Sequence, residues 1–222
     1  MKKIRFKKLR LWLVYPVFII YPFVARMTDS SYWLGAGVML LGLVVRFWAS
    51  GYISKSRTLA TSGPYAYTRN PLYLGNFILG LGVVVMSCNI WLALYYFVTF
   101  CILYVGTITE EQEVLEGKFG DAYHDYVACV PMFFPSIKAY RKAEKKPFSL
   151  KQSFKNGEFI RISGFLVLAV FMFLWYSFFV AKKGFDEASA IALILFVVFL
   201  FFLWFNIYIR RKSERKGAVD GA

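Results

Sequence analysis

Long apolar runs dominate this chain and limit what it can fold into. Six of them approach the roughly 20 residues that cross the hydrocarbon core of a bilayer. They cover Leu11–Ala25, Trp33–Ser54, Pro71–Met86, Ile90–Thr109, Ile162–Ala181 and Ala188–Ile209. Of the 222 residues, 59% are hydrophobic and only 18% are charged, whereas soluble domains have about 45 to 50% apolar and about 25% charged residues. Because a membrane segment must pair its own backbone polar groups, we predict an all-α, polytopic transmembrane bundle of about six spans.

The first run is short and contains Pro16 and Pro22. A run of this kind behind a basic segment is also typical of a signal peptide. No small-residue cleavage site follows it, because the apolar residues continue directly into Arg26. Snorkelling of Arg10 and Arg26 can complete a short span, so a membrane span is the favoured interpretation.

Basic residues are unevenly divided between the two sides of this topology. With six spans both termini share one side, which then holds 23 Lys and Arg residues against Arg26, Lys182 and Lys183 on the other. Basic loops are retained in the cytoplasm, so we predict cytoplasmic termini in a multi-pass protein of the cell's inner (plasma) membrane or the endoplasmic reticulum. The formal net charge of +14 lies in blocks between apolar runs. No nucleic-acid partner is therefore predicted.

Composition divides the chain into four stretches. Residues 1–32 hold the basic N-terminus and the first span, 33–135 hold the second to fourth spans with the polar motifs, 136–161 form a basic linker, and 162–222 hold two further spans and a basic tail. We expect the linker to lie against anionic headgroups as a positive-inside determinant, with a regulated lipid switch or partner site as the alternative. Three cysteines and one histidine form none of the usual zinc patterns, so no metal site is predicted.

The segment Ser62–Gly75, SGPYAYTRNPLYLG, precedes and enters the third span. Gly63 favours a turn, Asn70 suits a helix N-cap and Pro71 suits the first helical position. The free N–H groups and the dipole of such a helix start can receive an anion such as a carboxylate. An interfacial aromatic anchor with a capped helix would account for the same residues without a ligand.

The third and fourth spans are joined by residues 87–89 alone, which forces an antiparallel hairpin. Folding the chain there places Tyr67–Asn70 level with Thr107–Glu110, so the loop before the hairpin meets Glu110 and Glu111. Carboxylates at the end of a transmembrane helix are disfavoured by its dipole, which argues for a ligand rather than an anchor. Arginine, carboxylates and aromatic rings together suit a polar ligand that has a zwitterionic part and a further positive charge.

Three motifs together resemble one family. They are RFWA (Arg46–Ala49), RTLATSGPYAYTRNPLYLG (Arg57–Gly75) and EE…L…FG..Y..Y…VP…P (Glu110–Pro135). The combination resembles the isoprenylcysteine carboxyl methyltransferases and their phospholipid-methyltransferase relatives, over Trp33–Pro135. The resemblance implies an integral membrane enzyme that uses S-adenosylmethionine and acts on a prenylated or lipid-like acceptor among membrane lipids.

The resemblance also implies roles for individual residues. It puts the cofactor against Arg57, Thr58, Leu59, Ala60, Tyr65, Asn70, Pro71, Leu72, Tyr73 and Glu111. Arg69 and Glu110 are the predicted catalytic residues, with Glu110 as the base for an amine or phenol acceptor. Arg46, Trp48 and Thr107 are candidates for lining the acceptor site.

Two positions depart from the family pattern. Asn70 stands where many members have His, and its amide can still cap a helix. Thr107 stands where the eukaryotic enzymes have an Arg that binds the substrate carboxylate, which leaves the acceptor open. A phospholipid or other small-lipid methyltransferase is therefore the nearest competing interpretation. Two more distant ones are a nicotinamide-dependent membrane reductase and a non-catalytic membrane adaptor.

Overall fold

The computed structural model describes residues 12, 13, 17, 19–54 and 58–219, with side chains as far as Ile209. All regular elements in these residues are helical. The chain forms two compact units, Met1–Ser153 and Phe154–Ala222.

The first unit contains four of the helices. These are α1 (Asp29–Ser50), α2 (Pro71–Ser87), α3 (Ile90–Phe119) and α4 (Asp121–Cys129), and a single 3-10 turn (Gly63–Ala66) lies between α1 and α2. A short helix, α5 (Leu150–Lys155), lies at the boundary of the units. In the second unit, α6 (Glu158–Trp175) continues into a π-helical turn (Tyr176–Val180), and α7 follows (Glu187–Val219).

Four helical segments in the described residues are long and apolar enough to cross a membrane, namely Asp29–Ser50, Ile90–Phe119, Glu158–Val180 and Glu187–Ile209. Helix α2 is apolar but shorter, with 17 residues. The prediction of an all-α membrane protein is thus confirmed, and the second to sixth predicted spans each coincide with one of these helices. The first predicted span, Leu11–Ala25, lies partly outside the described residues, and residues 19–24 of it are helical.

Helix α1 begins earlier than the apolar run because Thr28 and Ser31 form a capping box. The Thr28 hydroxyl accepts from the Ser31 N–H at 3.1 Å, and the Ser31 hydroxyl accepts from the Thr28 N–H at 2.9 Å. Both N–H groups would otherwise lack an intrahelical partner. The capping box therefore fixes the helix start at Asp29.

Helices α1 and α2 pack through glycines that recur at seven-residue spacing, Gly35 and Gly42 on one helix and Gly75 and Gly82 on the other. A Cβ added at Gly42 would lie 2.6 Å from the Leu79 nitrogen and 2.9 Å from the Gly75 oxygen. One added at Gly82 would lie 2.7 Å from the Gly35 oxygen. Small residues let helix backbones approach closely in lipid, where dispersion contacts drive association. This interface holds the start of α2 against the end of α1.

Helices α2 and α3 form the predicted antiparallel hairpin. The Asn89 side chain caps α3 by accepting from its first backbone N–H groups, at 2.9 and 3.4 Å. Aromatic rings pack along the hairpin, with Phe77 against Phe100 (centroids 4.9 Å apart) and Tyr73 against Tyr104 (5.2 Å). These pairs fix the register in which the first turn of α2 faces the middle of α3.

Helix α3 continues beyond its apolar part, which corrects one premise of the sequence argument. Glu110 and Glu111 were expected to end a transmembrane helix, but the helix runs to Phe119 and stops at Gly120, whose φ is +50°. The extension is rich in Glu, Gln, Leu and Lys, which are good helix formers. The two carboxylates therefore lie within the helix, and the argument that its C-terminal dipole disfavours them was wrong.

In the second unit, α6 and α7 pack against each other. Glu158 starts α6 and is only 1% exposed. Its carboxylate lies 3.3 Å from the guanidinium of Arg161, which also donates to the Asn156 carbonyl at 2.8 Å. A carboxylate at a helix start is stabilised by the dipole, so this buried acid fits a structural role.

Candidate functional site

The motif loop, residues 58–70, lies between α1 and α2 and packs against α4. The Tyr126 hydroxyl donates to the Tyr65 carbonyl at 2.6 Å. Leu59 packs on a buried cluster formed by Tyr123, Tyr126 and Val130. The motif Glu110–Pro135, which contains α4, thus supports the motif loop.

A second segment, the strap (residues 131–149), follows α4 and runs antiparallel along the motif loop. The Arg69 N–H donates to the Pro131 carbonyl and the Tyr140 N–H to the Ala66 carbonyl, both at 2.9 Å. Further bonds join Ser136 N–H to the Tyr67 carbonyl (2.9 Å), Thr68 Oγ1 to the Phe133 carbonyl (2.8 Å), Ser62 Oγ to the Glu144 carbonyl (2.6 Å) and Glu144 N–H to Thr61 Oγ1 (3.1 Å). Residues 136–149, which composition assigned to a linker, are therefore hydrogen-bonded to the motif.

Two of the predicted cofactor residues meet across the hairpin. The Tyr73 hydroxyl donates to Glu111 Oε1 at 2.7 Å. Tyr73 is half-buried at the first turn of α2, whereas Glu111 is exposed on α3. The predicted meeting of this helix start with the end of the fourth span is therefore present in the structure, through Glu111.

The start of α2 has no side-chain cap. Asn70 occupies the N-cap position, as predicted, but its side chain makes no capping bond to the helix. Its Nδ2 instead donates to the Met132 carbonyl of the strap at 2.9 Å. Pro71, buried at the first helical position, brings no N–H group. The helix thus offers its positive N-terminal end to an acceptor.

Arg69 points toward α4, where its guanidinium contacts Tyr123. It hydrogen-bonds the Tyr123 hydroxyl; burial raises the pKa of Tyr123, and this guanidinium offsets part of that rise. The pKa of Tyr126 is also raised by burial.

Arg69 Nε and Gln112 Nε2 are both buried without a hydrogen-bond partner among the described residues. Since buried donors are nearly always paired in native proteins, both atoms need an acceptor that the described residues do not supply. Sequence reasoning missed Gln112, although it follows the two glutamates directly.

Arg46 links α1 to the start of α2. It is 5% exposed, donates to the Leu72 carbonyl at 3.3 Å and also bonds the Asn76 side chain. A Cβ at Gly75 would collide with the Arg46 stem, so the glycine makes room for it. Arg46 therefore positions the first turns of α2.

The other predicted residues are more dispersed. Trp48 is 43% exposed, and Thr107 turns its hydroxyl back to the Leu103 carbonyl at 2.6 Å. Glu110 is exposed, Ala60 is half-buried, and Thr58 Oγ1 accepts from the Lys146 ammonium at 3.4 Å. Arg57 lies outside the described residues. Within the described ranges, no group of three or more His, Cys, Asp or Glu side chains is placed to hold a metal ion.

Apolar helices of spanning length, with polar motifs gathered at one end of a helix hairpin, define an integral membrane protein of the all-α class. Residues 36–116, which include α2 and most of α3, match the model of the isoprenylcysteine carboxyl methyltransferase (ICMT) family. Over these residues the chain is a member of this family.

Its relatives carry two kinds of name. The nickel-cobalt-cadmium resistance protein NccN of Alcaligenes xylosoxydans xylosoxydans is 31% identical over 141 residues, 58% of this chain and 66% of that protein. The cobalt-zinc-cadmium resistance protein CzcN of Cupriavidus metallidurans is 38% identical over 112 residues, 49% of this chain and 50% of that protein. The protein-S-isoprenylcysteine O-methyltransferase of Mus musculus is 38% identical over 88 residues, 40% of this chain and 31% of that protein.

The chain thus spans between 31% and 66% of the length of these relatives. No solved structure matches it significantly.

Proposed function

We propose that the protein is a membrane methyltransferase that takes its methyl group from S-adenosylmethionine and gives it to a lipophilic acceptor. The observation that carries this proposal is the contact of Tyr73 with Glu111 beside the uncapped start of α2, in a chain of the ICMT family. It joins the two motifs at one end of the hairpin.

The chemistry of these residues fits S-adenosylmethionine. The positive N-terminal end of α2 and the buried Nε of Arg69 suit a carboxylate. Glu111 suits an ammonium group or ribose hydroxyls, and the face of Tyr73 attracts a sulfonium cation. When bound, S-adenosylmethionine supplies an activated methyl group. The protein's own contribution is to align the acceptor with it and to exclude water, so no covalent intermediate with the protein is needed.

Which class of acceptor the protein methylates depends on the charges near Thr107. A prenylated cysteine carboxylate needs no general base, but Thr107 offers it no charged contact. A phospholipid or another small lipid with an amine or phenol would lose a proton, and Glu110, exposed one residue before Glu111, is the proposed base. Both classes of acceptor are lipophilic and would reach the site from the bilayer.

A contribution to heavy-metal resistance is a second candidate function. One observation favours it: two relatives that are 31% and 38% identical to the chain, over 141 and 112 residues, are named for resistance to cobalt and cadmium together with nickel or zinc. Cells with and without the gene, grown on graded cobalt and cadmium, test it, and equal sensitivity would remove this candidate.

Methyl transfer is tested with radiolabelled S-adenosylmethionine and membranes that contain the protein, its Glu111→Gln variant or no protein. Label separated into lipid and protein fractions identifies the acceptor, and base lability distinguishes an ester from N- or ether methylation. We expect Glu111→Gln to weaken S-adenosylmethionine binding about 10- to 150-fold, because a charge-assisted hydrogen bond contributes about 1.5 to 3 kcal/mol.

Glu116→Gln is the matched control, since Glu116 lies on the same helix and is exposed beside His124. Calorimetric titration should show nearly unchanged affinity in this variant. Unchanged affinity in Glu111→Gln would remove Glu111 from the site. Membranes that transfer no label beyond the protein-free control would refute the enzyme.

We further propose that the site lies on the cytoplasmic side of the membrane. The proposal is supported by the basic residues, which a six-span topology would gather there. A single cysteine at the exposed Lys142 should be protected from an impermeant reagent added outside, and those at Asp29 and Asp186 should be labelled. Outside labelling at Lys142 would overturn this topology.

A further inference from the structure

The strap carries an apolar and basic surface that the proposed methyl transfer does not use. Ile137 is 99% exposed and Phe134 is 73% exposed. Exposed Lys138, Arg141 and Lys145 follow them along the chain. We propose that this surface docks on anionic phospholipid headgroups and that docking holds the motif loop in its site-forming conformation.

The position of the strap places this surface at the edge of the bilayer. Phe133 packs against Phe77 of α2 and Phe100 of α3, with ring centroids 5.7 and 5.8 Å apart. Phe77 lies six residues into an apolar helix, about 9 Å along its axis. Phe134 adjoins Phe133 at 5.3 Å. Phe134 is therefore placed to enter the region between headgroups and acyl chains.

The charge of the strap selects the headgroup. Residues 131–149 contain five basic residues and one acidic residue, a net charge of +4. Lys142 pairs with Asp125 at 2.6 Å and Lys146 pairs with Glu144. Among the described residues, Lys138, Arg141 and Lys145 enter no ion pair. These three charges are available for phosphate groups, and clustered basic residues beside an apolar anchor favour anionic lipid.

The hydrogen bonds between strap and motif loop connect this surface to the site. Neither segment forms a long regular element, apart from the single 3-10 turn in the loop. Ordering such segments costs conformational entropy, which binding of the strap to lipid would offset. The contacts of Arg69 with Pro131 and of Asn70 with Met132 lead directly to the start of α2. A docked strap therefore stabilises the loop on which the proposed cofactor site depends.

The experiment measures amide hydrogen exchange of the full chain in lipid nanodiscs, without S-adenosylmethionine. Nanodiscs of phosphatidylcholine are compared with nanodiscs that also contain phosphatidylglycerol. We expect slower exchange in both the strap and the motif loop in the anionic discs. Each of the three engaged charges should contribute about fivefold, so the full effect is at most about 125-fold and is lost in high salt.

The variants separate docking from a general effect of lipid on the fold. Combined Lys138→Gln, Arg141→Gln and Lys145→Gln should abolish the difference between the two lipids. Lys142→Gln is the matched control and should largely retain it, because Asp125 already neutralises Lys142.

Equal exchange in both lipids, or a difference that survives the triple substitution, would overturn docking. Protection of the strap without protection of the motif loop would overturn its coupling to the site. Protection by soluble polyglutamate in neutral discs, without a response to phosphatidylglycerol, would identify an acidic protein instead and overturn the lipid assignment. The inference rests on the proposed function only where the loop serves methyl transfer. The lipid response can therefore hold even if no methyl group is transferred.

Discussion

Replacing Gly42 by Ala should disrupt the interface that positions the start of α2. The new Cβ would lie 2.6 Å from the Leu79 nitrogen, whereas ordinary contact begins at 3.4 Å, so restoring ordinary contact would require the backbones to separate by about 0.8 Å. Both nearest backbone atoms, on Leu79 and Gly75, belong to a helix and cannot rotate away as a side chain could. Overpacking of this kind costs about 1 to 3 kcal/mol. For a chain of this size, each kcal/mol lowers the melting temperature by about 2 to 4 °C.

Gly37 supplies the matched control because it lies on the same helix and an added Cβ there meets nothing within 4 Å. Gly37→Ala reports how much the change from glycine to alanine alone alters the free energy of unfolding, which is up to about 1 kcal/mol in favour of the helix. Melting curves of both ligand-free variants, recorded in the same detergent, give the difference due to packing. We expect a drop of about 2 to 12 °C for Gly42→Ala relative to Gly37→Ala. Equal melting temperatures would refute the close approach of α1 and α2.

Three further predictions concern the site and its support. Tyr126→Phe removes the 2.6 Å bond to the Tyr65 carbonyl and should destabilise the fold by about 1 to 3 kcal/mol; an unchanged melting temperature would contradict this. Thr107→Arg should improve methylation of a small prenylcysteine analogue through a charge-assisted contact. Efficient methylation of the analogue by the unaltered protein would show that no arginine is needed at this position. The Lys142 ammonium, by hydrogen bond and charge, lowers the pKa of Asp125. The resulting stabilisation is present above the ordinary Asp pKa of about 3.9 and is lost as pH falls through the lower folded value. The melting temperatures of the unaltered protein and Lys142→Gln should therefore converge in acid, and a constant gap would show that the ion pair does not cause it.

Local patterns predicted the helices and the hairpin but not every support of the site. Span length and a three-residue connection were sufficient to bring the first turn of α2 to Glu111. The dipole argument failed because the apolar run marks the membrane-buried part of α3, whereas helix propensity carries the helix to Phe119. The glycine interface could have been predicted from the sequence, since Gly35 and Gly42 are seven residues apart on one helix and Gly75 and Gly82 are seven residues apart on the other.

The strap had no such signal. Its pairing with the motif loop uses backbone groups of irregular segments, which any sequence carries, and scattered hydroxyl and amide side chains such as Ser62 and Thr68, so no periodicity reveals it. Composition instead emphasised its lysines and suggested a linker. The unpaired donor of Gln112 was equally invisible, because the burial of one polar atom on a helix depends on tertiary packing rather than on local sequence.

The reversed order of contacts between strap and motif loop has a consequence for biogenesis. Arg69 bonds to Pro131 and Ser62 bonds to Glu144, so both ends of the loop have hydrogen-bond partners that are translated later than the loop itself. The parts of the loop translated first are paired with the parts of the strap translated last. Helices α1, α2 and α3 can therefore enter the bilayer and pair while the loop is still unsupported. A nascent chain arrested before residue 131 should contain the packed helices without an assembled site, and the site should form only as the strap emerges.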